Sequence, residues 1–392
     1  GAVVLPGFVQ AHVHLCQVLF RGLAEDLPLL RWLRERIWPL EAAHDEGSLR
    51  TSAELGLAEL LRSGVTSILD MGTVHGQDVV FEAMQRSGIR GLSGKSMVDR
   101  GEGMPKGFRE STRASLQSSD ALRARWQGKA RGRLGYAYAP RFILTCSEAL
   151  LRGVANRSAE TGALMHTHAA EHRDERAEVK RRLGDDDIAI LRRFGITGPR
   201  AVLAHGVQLR RDEIVSLARE GTSIVHCPSS NLKLASGLAK LRALSRAGVQ
   251  IGLGSDGAPC NNRLSIFHEM RAAALLAKVV SKRADAVSAA DVLAMATRGG
   301  AAVLGLANRV GTLEIGKRAD VVVVGLTEPE HLPGGSHESQ LVYTGAASDV
   351  RHVLVDGRIV VERGELLSVD HERLRAVARE EALKVATRAG LS

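Results

Sequence analysis

Two histidines near the start of the chain have the spacing of metal ligands. His12 and His14 end the apolar run that follows Pro6 and Gly7. Alternate residues of a β-strand face the same way, so the two imidazoles are expected to project side by side from the end of one strand. Paired imidazoles commonly bind one metal ion. An isolated His-x-His motif is more often two unrelated histidines, so a metal site requires further ligand residues elsewhere in the chain.

Three later segments supply such partners, each at the end of an apolar run. His168 closes one run and Glu171 follows three residues later, a spacing that lets a metal ligand and a proton donor serve one reacting centre. His205 closes the next run, and Asp256 lies after the last, where a carboxylate would complete a set of three histidines and one aspartate. His166 is predicted to lie one layer deeper, as a core histidine or as support for the ligands.

Eight apolar runs alternate with amphipathic helical segments, and these elements must position the candidate residues. Such alternation predicts parallel strands joined by helices. A closed (β/α)8 barrel gathers all its strand ends at one face, whereas a doubly wound open sheet does not. We therefore predict an α/β fold with a TIM-type barrel. Its strands are expected at 9–14, 66–70, 89–95, 134–139, 164–168, 201–205, 222–226 and 250–256.

The pattern changes after the barrel. A buried strand is predicted at 321–324, and Asp356-Gly357 lies between two β-like runs, which is typical of a tight hairpin turn. We predict a barrel domain over 1–308, a small β-sandwich domain over 309–368, and a C-terminal helical segment over 369–392 that packs back on the barrel.

Composition and charge narrow the classes of function. The 392 residues are 44% hydrophobic and 25% charged, as in ordinary globular proteins. The net charge is +9, but aromatic residues make up only 3% and no nucleic-acid-binding motif is present, so a solvated basic surface is expected and no nucleic-acid partner. No run suggests a membrane span or a signal peptide. The four cysteines form no CxxC pair, which favours a reducing, cytoplasmic location: Cys16, Cys146, Cys227 and Cys260.

Four motifs resemble those of the amidohydrolase superfamily, in its nucleoside and purine deaminase branch. They are PGFVQAHVH (6–14), HTHAAE (166–171), HCPSSNLKLASG (226–237) and GSDGAPCNN (254–262). The resemblance covers nearly the whole chain and is strongest to deaminases of S-adenosylhomocysteine, methylthioadenosine and 5′-deoxyadenosine. It implies a distorted (β/α)8 barrel with a β-sandwich assembled from both chain ends.

The resemblance also implies a set of residue roles. One divalent metal, zinc by preference with iron and manganese as alternatives, would be bound by His12, His14, His168 and Asp256. Asp256 would also accept a proton from the attacking water, Glu171 would protonate the ring nitrogen, and His205 would stabilise charge on the attacking oxygen. The fourth predicted strand has no lysine to bridge two metals, so the site is expected to be mononuclear and Lys95 to be structural.

Four residues are candidates for substrate binding. By resemblance, Trp32 packs near the nucleoside and Glu41 accepts hydrogen bonds from the ribose hydroxyls. Arg141 stands where nucleoside deaminases often have a histidine, and it looks more like the guanine deaminases. Cys260 stands where some relatives have a serine near the 5′ substituent. Asn231 and His226 are expected to brace the loop after the seventh strand.

These features predict a hydrolytic deaminase of a small nucleoside. The expected substrate is an adenine nucleoside with a modified 5′ position, such as S-adenosylhomocysteine, methylthioadenosine or 5′-deoxyadenosine, or adenosine itself. The products would be the inosine analogue and ammonia. A homo-oligomer is also expected. The alternatives are a guanine or 8-oxoguanine deaminase, a triazine hydrolase on the same scaffold, and a non-catalytic barrel.

The start of the chain departs from the family pattern. Relatives carry several dozen residues before the first barrel strand, and these supply half of the β-sandwich. Here the first barrel strand begins within ten residues. We therefore expect that native N-terminal residues are missing, and that the C-terminal strands leave an unpaired apolar edge.

Overall fold

A computed structural model of the chain describes residues 1–391 and contains eight parallel strands arranged as a barrel. In chain order the strands of the molecule are β1 (Ala2–Pro6), β2 (Phe8–Val13), β3 (Val65–Met71), β4 (Arg90–Gly94), β5 (Ser96–Met97), β6 (Leu134–Pro140), β7 (Leu164–Ala169), β8 (Ala201–His205), β9 (Ser223–His226), β10 (Ile251–Leu253), β11 (Val321–Gly325), β12 (Val350–Val355), β13 (Arg358–Glu362) and β14 (Glu365–Leu366).

The barrel strands follow one another in the order β2-β3-β4-β6-β7-β8-β9-β10. The short strand β5 follows β4 in the chain and also pairs with β6. A parallel bridge between Val13 and Asp256 brings the first and last strands together. Apolar residues fill most of these strands because both barrel faces are covered. The predicted TIM-type barrel is confirmed.

Helices cover the outside of the barrel and its mouth. They are α1 (Leu29–Trp32), α2 (Trp38–Ala42), α3 (Glu46–Arg62), α4 (Gln77–Ser87), α5 (Thr112–Trp126), α6 (Lys129–Gly132), α7 (Glu148–Thr161), α8 (Arg173–Leu183), α9 (Asp187–Arg193), α10 (Arg211–Glu220), α11 (Pro228–Lys233), α12 (Leu241–Arg246), α13 (Ala258–Asn261), α14 (Ile266–Ser281), α15 (Ala289–Ala294), α16 (Gly300–Val303), α17 (His337–Tyr343) and α18 (His371–Arg388). A wider π-turn, Leu33–Ile37, joins α1 to α2, and a second one, Met295–Gly299, joins α15 to α16.

A second, antiparallel sheet has the order β1-β11-β12-β13-β14. The Asp356-Gly357 turn between β12 and β13 has positive φ at both residues (52° and 77°), as a tight hairpin requires. Arg90 of the barrel donates two hydrogen bonds to Asp320 (2.7 and 2.9 Å), and both side chains are buried. This ion pair fastens the second sheet to the barrel.

The expected unpaired edge of this sheet is not what the structure shows. Strand β1 pairs with β11 from Ala2 opposite Gly325 to Pro6 opposite Val321, so residues at the start of the chain belong to the second sheet rather than to the barrel. The run before Pro6 is too short to be separated by its pattern from the strand that follows. Helix α18 lies against α3, and Arg388 donates to the carbonyl of Ala43 (2.8 Å). Among the described residues, no helix is long and apolar enough to cross a membrane.

Candidate active site

Four side chains converge at the carboxyl end of the barrel strands. His12 lies in β2 and His14 just after it, while His168 lies in β7 and Asp256 follows β10. Each offers one ligand atom, and these four atoms lie within 4.8 Å of one another. Oδ1 of Asp256 is 3.3 Å from Nε2 of His12 and 3.2 Å from Nε2 of His14. The structure thus brings together all four residues predicted as metal ligands.

The proton positions on two of these imidazoles fit a cation between them. Nδ1 of His14 lies 2.7 Å from the carbonyl oxygen of Met71, and Nδ1 of His168 lies 2.7 Å from that of Arg141. A carbonyl only accepts, so each Nδ1 carries the hydrogen and each Nε2 presents a lone pair. The two Nε2 atoms nevertheless face each other at 3.2 Å. Two ligands of a tetrahedral zinc ion, with Zn–N of about 2.0–2.1 Å, would lie about 3.4 Å apart.

The third imidazole gives the same indication. Nε2 of His12 is fully buried, and because its 3.3 Å contact with Oδ1 of Asp256 lacks hydrogen-bond geometry, it has no hydrogen-bond partner among the described residues. Its Nδ1 lies 2.8 Å from Nε2 of His166, which places His166 behind the ligand set as predicted. A buried, unpaired polar atom costs free energy unless a ligand satisfies it. The donor set therefore fits a divalent ion.

Glu171 and His205 lie beside this cluster. Nε2 of His205 is 3.5 Å from Oε2 of Glu171 and 3.9 Å from Oδ2 of Asp256, and no atom of residues 1–391 forms a hydrogen bond with it. Burial raises the pKa of the Glu171 carboxyl well above its usual range, and the charge of Asp256 adds to the effect. The surroundings thus favour the protonated form of the Glu171 carboxyl, which lies next to Nε2 of His205.

Residues of α11 hold His205 and Asp256 in place. Nδ1 of His205 donates to Oδ1 of Asn231 (2.9 Å), and the Ser230 hydroxyl donates to Oδ2 of Asp256 (2.6 Å). Asn231 therefore braces His205, a contact beyond the loop that it was expected to brace. His226 is buried near His205, its Nδ1 has no hydrogen-bond partner in the described part of the chain, and burial lowers its pKa to about 4.

Three non-glycine residues at this end of the barrel have left-handed backbone conformations. The φ angles are 50° at Ala170, 79° at His205 and 62° at Asp256. Such conformations cost about 1–3 kcal/mol each and persist only where surrounding contacts fix them, typically at functional sites. These conformations change the direction of the backbone at the point where each strand ends. The residue pattern does not predict them.

A narrow cavity of about 20 Å³ opens onto the cluster. It has room for water, which needs roughly 10–15 Å³. Its wall combines the candidate catalytic groups with side chains of α1 and the first π-turn: His14, Gln17, Leu29, Trp32, Leu33, Arg141, Phe142, His168, Glu171, His205 and Asp256. Gln17, Leu29, Leu33 and Phe142 were not predicted, since nothing in their spacing distinguishes them from core residues.

Trp32 and Arg141 lie in the cavity wall, but two other predicted substrate contacts do not. Glu41 is buried behind the wall, where its oxygens accept two hydrogen bonds from Arg141 (2.6 and 3.1 Å) and one from Gln17 (2.7 Å). Cys260 is fully buried and its Sγ lies 3.1 Å from the carbonyl oxygen of Gly257. Glu41 lies on α2 and Cys260 on α13, and both elements direct these side chains into the core.

Lys95 has a structural environment. Its ammonium group contacts the carboxylate of Glu110 and the Ser118 hydroxyl (2.8 Å for the latter), and it is 2% exposed. Among the described residues, no lysine contributes to the cavity wall. This agrees with the prediction that Lys95 is structural.

Comparison with known proteins identifies the family of the chain. The Amidohydrolase family profile matches residues 3–360. The 5-methylthioadenosine/S-adenosylhomocysteine deaminase of Moorella thermoacetica is 37% identical over 374 residues, covering 95% of this chain and 85% of that protein. The 5′-deoxyadenosine deaminase of Methanothermobacter thermautotrophicus is 37% identical over 385 residues, covering 98% and 88%.

Two solved structures share the fold. An adenosine deaminase from Xanthomonas campestris with bound zinc superposes with a TM-score of 0.93 at 35% identity, over 98% of this chain and 86% of that one. The guanine deaminase of E. coli superposes with a TM-score of 0.86 at 32% identity, over 93% and 85%.

Proposed function

Because the chain belongs to the amidohydrolase family, we propose that it is a hydrolytic deaminase of adenine nucleosides with a modified 5′ position. The reaction would convert the 6-amino group to a carbonyl and release ammonia. The observation that carries this proposal is the convergence of the His12, His14, His168 and Asp256 cluster with the buried acid Glu171 at one end of the barrel.

The four clustered side chains would hold one divalent ion, and zinc fits their nitrogen and oxygen donors. The zinc bound to the Xanthomonas campestris structure supports this choice. When bound, such an ion supplies activation of a water molecule near neutral pH. The hydrogen bonds from Nδ1 of His14 and His168 to backbone carbonyls would keep their Nε2 lone pairs directed at it.

The remaining groups would move protons around the reacting carbon. Asp256 would accept a proton from the attacking water, whose oxygen forms the new bond to C6. Glu171, kept protonated by its raised pKa, would donate to the adjacent ring nitrogen. His205, whose Nε2 lies 3.5 Å from Glu171, would stabilise charge on the attacking oxygen as the imidazolium, because Nδ1 already donates to Asn231 and only a protonated Nε2 can donate as well. The C6–N bond then breaks: the amino group would leave as ammonia with the proton returned by Asp256, and the oxygen on C6 would become a carbonyl by giving its remaining proton back to Glu171.

The proposed substrate class rests on the relatives and on the cavity wall. Proteins 37% identical to this chain are named for 5-methylthioadenosine, S-adenosylhomocysteine and 5′-deoxyadenosine. Trp32 and Phe142 offer aromatic faces for a purine. The cavity in this structure holds only water-sized groups, so binding of a nucleoside requires outward movement of α1 and the π-turn that follow the first strand.

Guanine deamination is the second candidate, and Arg141 is the observation that favours it. A guanidinium in the cavity wall could donate to a purine carbonyl, which guanine has and adenine lacks. The structure of E. coli guanine deaminase is 32% identical to this chain. Against this candidate, the Arg141 guanidinium is already paired with Glu41.

The test is ammonia release from a panel of substrates by protein of known metal content. The panel holds 5′-deoxyadenosine, methylthioadenosine, S-adenosylhomocysteine, adenosine, guanine and 8-oxoguanine. The proposal expects turnover of the adenine nucleosides and its loss in His168→Ala. Turnover of free bases alone would favour the second candidate, and no turnover by metal-loaded protein would overturn both.

A further inference from the structure

The loop that presents Glu171 is held from behind by two buried carboxylates. The amide of Ala170 donates to Oδ2 of Asp187 (2.7 Å). The amides of Glu171 and His172 both point at Oε2 of Glu175, at 3.1 and 3.4 Å. Three consecutive backbone N–H groups therefore donate hydrogen bonds to two buried side chains, Asp187 (0% exposed) and Glu175 (1% exposed). Neither carboxylate touches the cavity.

This loop needs external support because its backbone is strained. Ala170 has a φ of 50°, a conformation that an alanine rarely adopts. The carbonyl of Ala170 accepts from the amide of Gln208 (2.8 Å), so the strained residue is fixed on both sides. Loss of one support would let the loop relax and would move the Glu171 carboxyl.

The two carboxylates differ in how their charge is balanced. Asp187 lies 3.1 Å from Nε of Arg176, which also binds Glu213. Within residues 1–391, Glu175 forms no ion pair, and only backbone amides donate to it. Burial raises its pKa to about 8 and the charge of Asp187 adds to the effect, which favours the neutral form of the side chain.

Glu175 does more than cap a helix. A capping-box glutamate, three residues into a helix, normally receives the amide of the N-cap residue, here His172. Here the shorter contact is to Glu171, one residue further out, and the side chain is buried rather than exposed. The carboxyl therefore reaches past the helix to the residue proposed as the acid.

We propose that Glu175 is a positioning residue that aims the Glu171 carboxyl by fixing the amides of Glu171 and His172, with Asp187 fixing Ala170 beside them. The inference rests on the proposed role of Glu171 as the acid. What Glu175 must supply is an acceptor oxygen of the right reach rather than a negative charge.

Two variants separate the acceptor from the charge. Glu175→Gln keeps a carbonyl oxygen at the same reach, and Glu175→Leu fills the same volume without an acceptor. We expect Glu175→Gln to retain the kcat of the wild type. Glu175→Leu is expected to lose about 10- to 100-fold in kcat, as a displaced catalytic group does, with KM and bound metal unchanged.

Amide hydrogen exchange provides a measurement independent of substrate. The Glu171 and His172 amides should exchange about tenfold faster or more in Glu175→Leu than in the wild type, and at the wild-type rate in Glu175→Gln. If the exchange pattern holds but no nucleoside is turned over, the proposed function fails while the positioning contact stands. Wild-type kcat in Glu175→Leu, or equal damage in both variants, would overturn the inference.

Discussion

The two sides of the cavity differ in how directly the residue pattern determines them. On one side, His12, His14, His168 and Asp256 meet with ligand atoms within 4.8 Å of one another. On the other side, the predicted substrate contacts separate: Trp32 and Arg141 reach the wall, but Glu41 lies behind it and pairs with Arg141. The chemistry is built on strand ends, whereas recognition is built on loops and short helices.

That difference has a physical cause. A side chain at a strand end has its direction fixed by the alternation of the strand, and all eight strand ends meet at one face. A side chain on α2 can point to the cavity or away from it, depending on a helix rotation that the π-turn Leu33–Ile37 sets. We therefore expect substitutions on the first side to abolish the reaction and those on the second to change its selectivity.

The largest expected effect is that of His168→Ala. Removal of one of four ligands should reduce the bound metal and lower kcat/KM by more than the roughly 10²–10⁴-fold that loss of a general acid costs. Metal content by elemental analysis and the rate of ammonia release check this together. Full metal occupancy with normal activity would contradict the ligand assignment.

Glu171→Gln should separate metal binding from proton transfer. The glutamine cannot donate a proton to the ring nitrogen, so kcat is expected to fall by about 10²–10⁴-fold. The metal content should stay at the wild-type level, because Glu171 is not in the ligand cluster. Loss of metal in this variant would show that Glu171 supports the cluster instead.

Glu41→Gln tests whether Glu41 binds the ribose, and its interpretation must take into account that Glu41 also pairs with Arg141. If Glu41 binds the ribose hydroxyls when α1 and the π-turn Leu33–Ile37 move outward, nucleoside turnover should fall by about 10- to 100-fold, matching the roughly 1.5–3 kcal/mol of a hydrogen bond to a charged group. Turnover of any free-base substrate should fall far less. The variant also leaves the buried Arg141 without a carboxylate, so the ratio of the two rates is the informative quantity. Equal losses would remove Glu41 from ribose recognition.

The buried acid behind the chemical side should make stability depend on pH. Folding raises the pKa of Glu175 to about 8 by burial and by the nearby charge of Asp187, so the folded chain keeps a proton that the unfolded chain loses above its ordinary pKa. Stability from this group is therefore lost as pH rises from about 4.5 to about 8. Glu175→Gln should gain stability relative to the wild type over that range in urea unfolding. A difference that stays constant with pH would contradict the raised pKa.

The smallest effect is expected for Cys260→Ser. The thiol is fully buried, contacts the carbonyl of Gly257 and is absent from the cavity wall. A serine can make the same contact, so the relative rates with different 5′ substituents should not change. A selective change in KM for the bulkier nucleosides would return Cys260 to the substrate site.

The sequence pattern predicted the barrel and the convergence of the ligand cluster because both follow from short periods in the chain. The residue pattern alone could not place β1 in the second sheet, since its pairing with β11 joins residues more than 300 positions apart, and only the family resemblance, which implies a sandwich built from both chain ends, indicated it. The Glu41–Arg141 pair depends on the rotation of α2, and the left-handed backbone at Ala170 arises from contacts with Asp187 and Gln208. The position of Glu175, three residues into α8, predicts a helix-capping role, but the sequence does not predict its contact with the amide of Glu171.

The most direct test of the account is the mass spectrum of the product formed from methylthioadenosine by metal-loaded protein in water enriched in oxygen-18. Hydrolytic deamination predicts the inosine analogue with one oxygen-18 atom at C6 and one equivalent of ammonia. A product cleaved at the glycosidic bond, or unchanged nucleoside after prolonged incubation, would contradict the assignment of His12, His14, His168, Asp256 and Glu171 to this reaction.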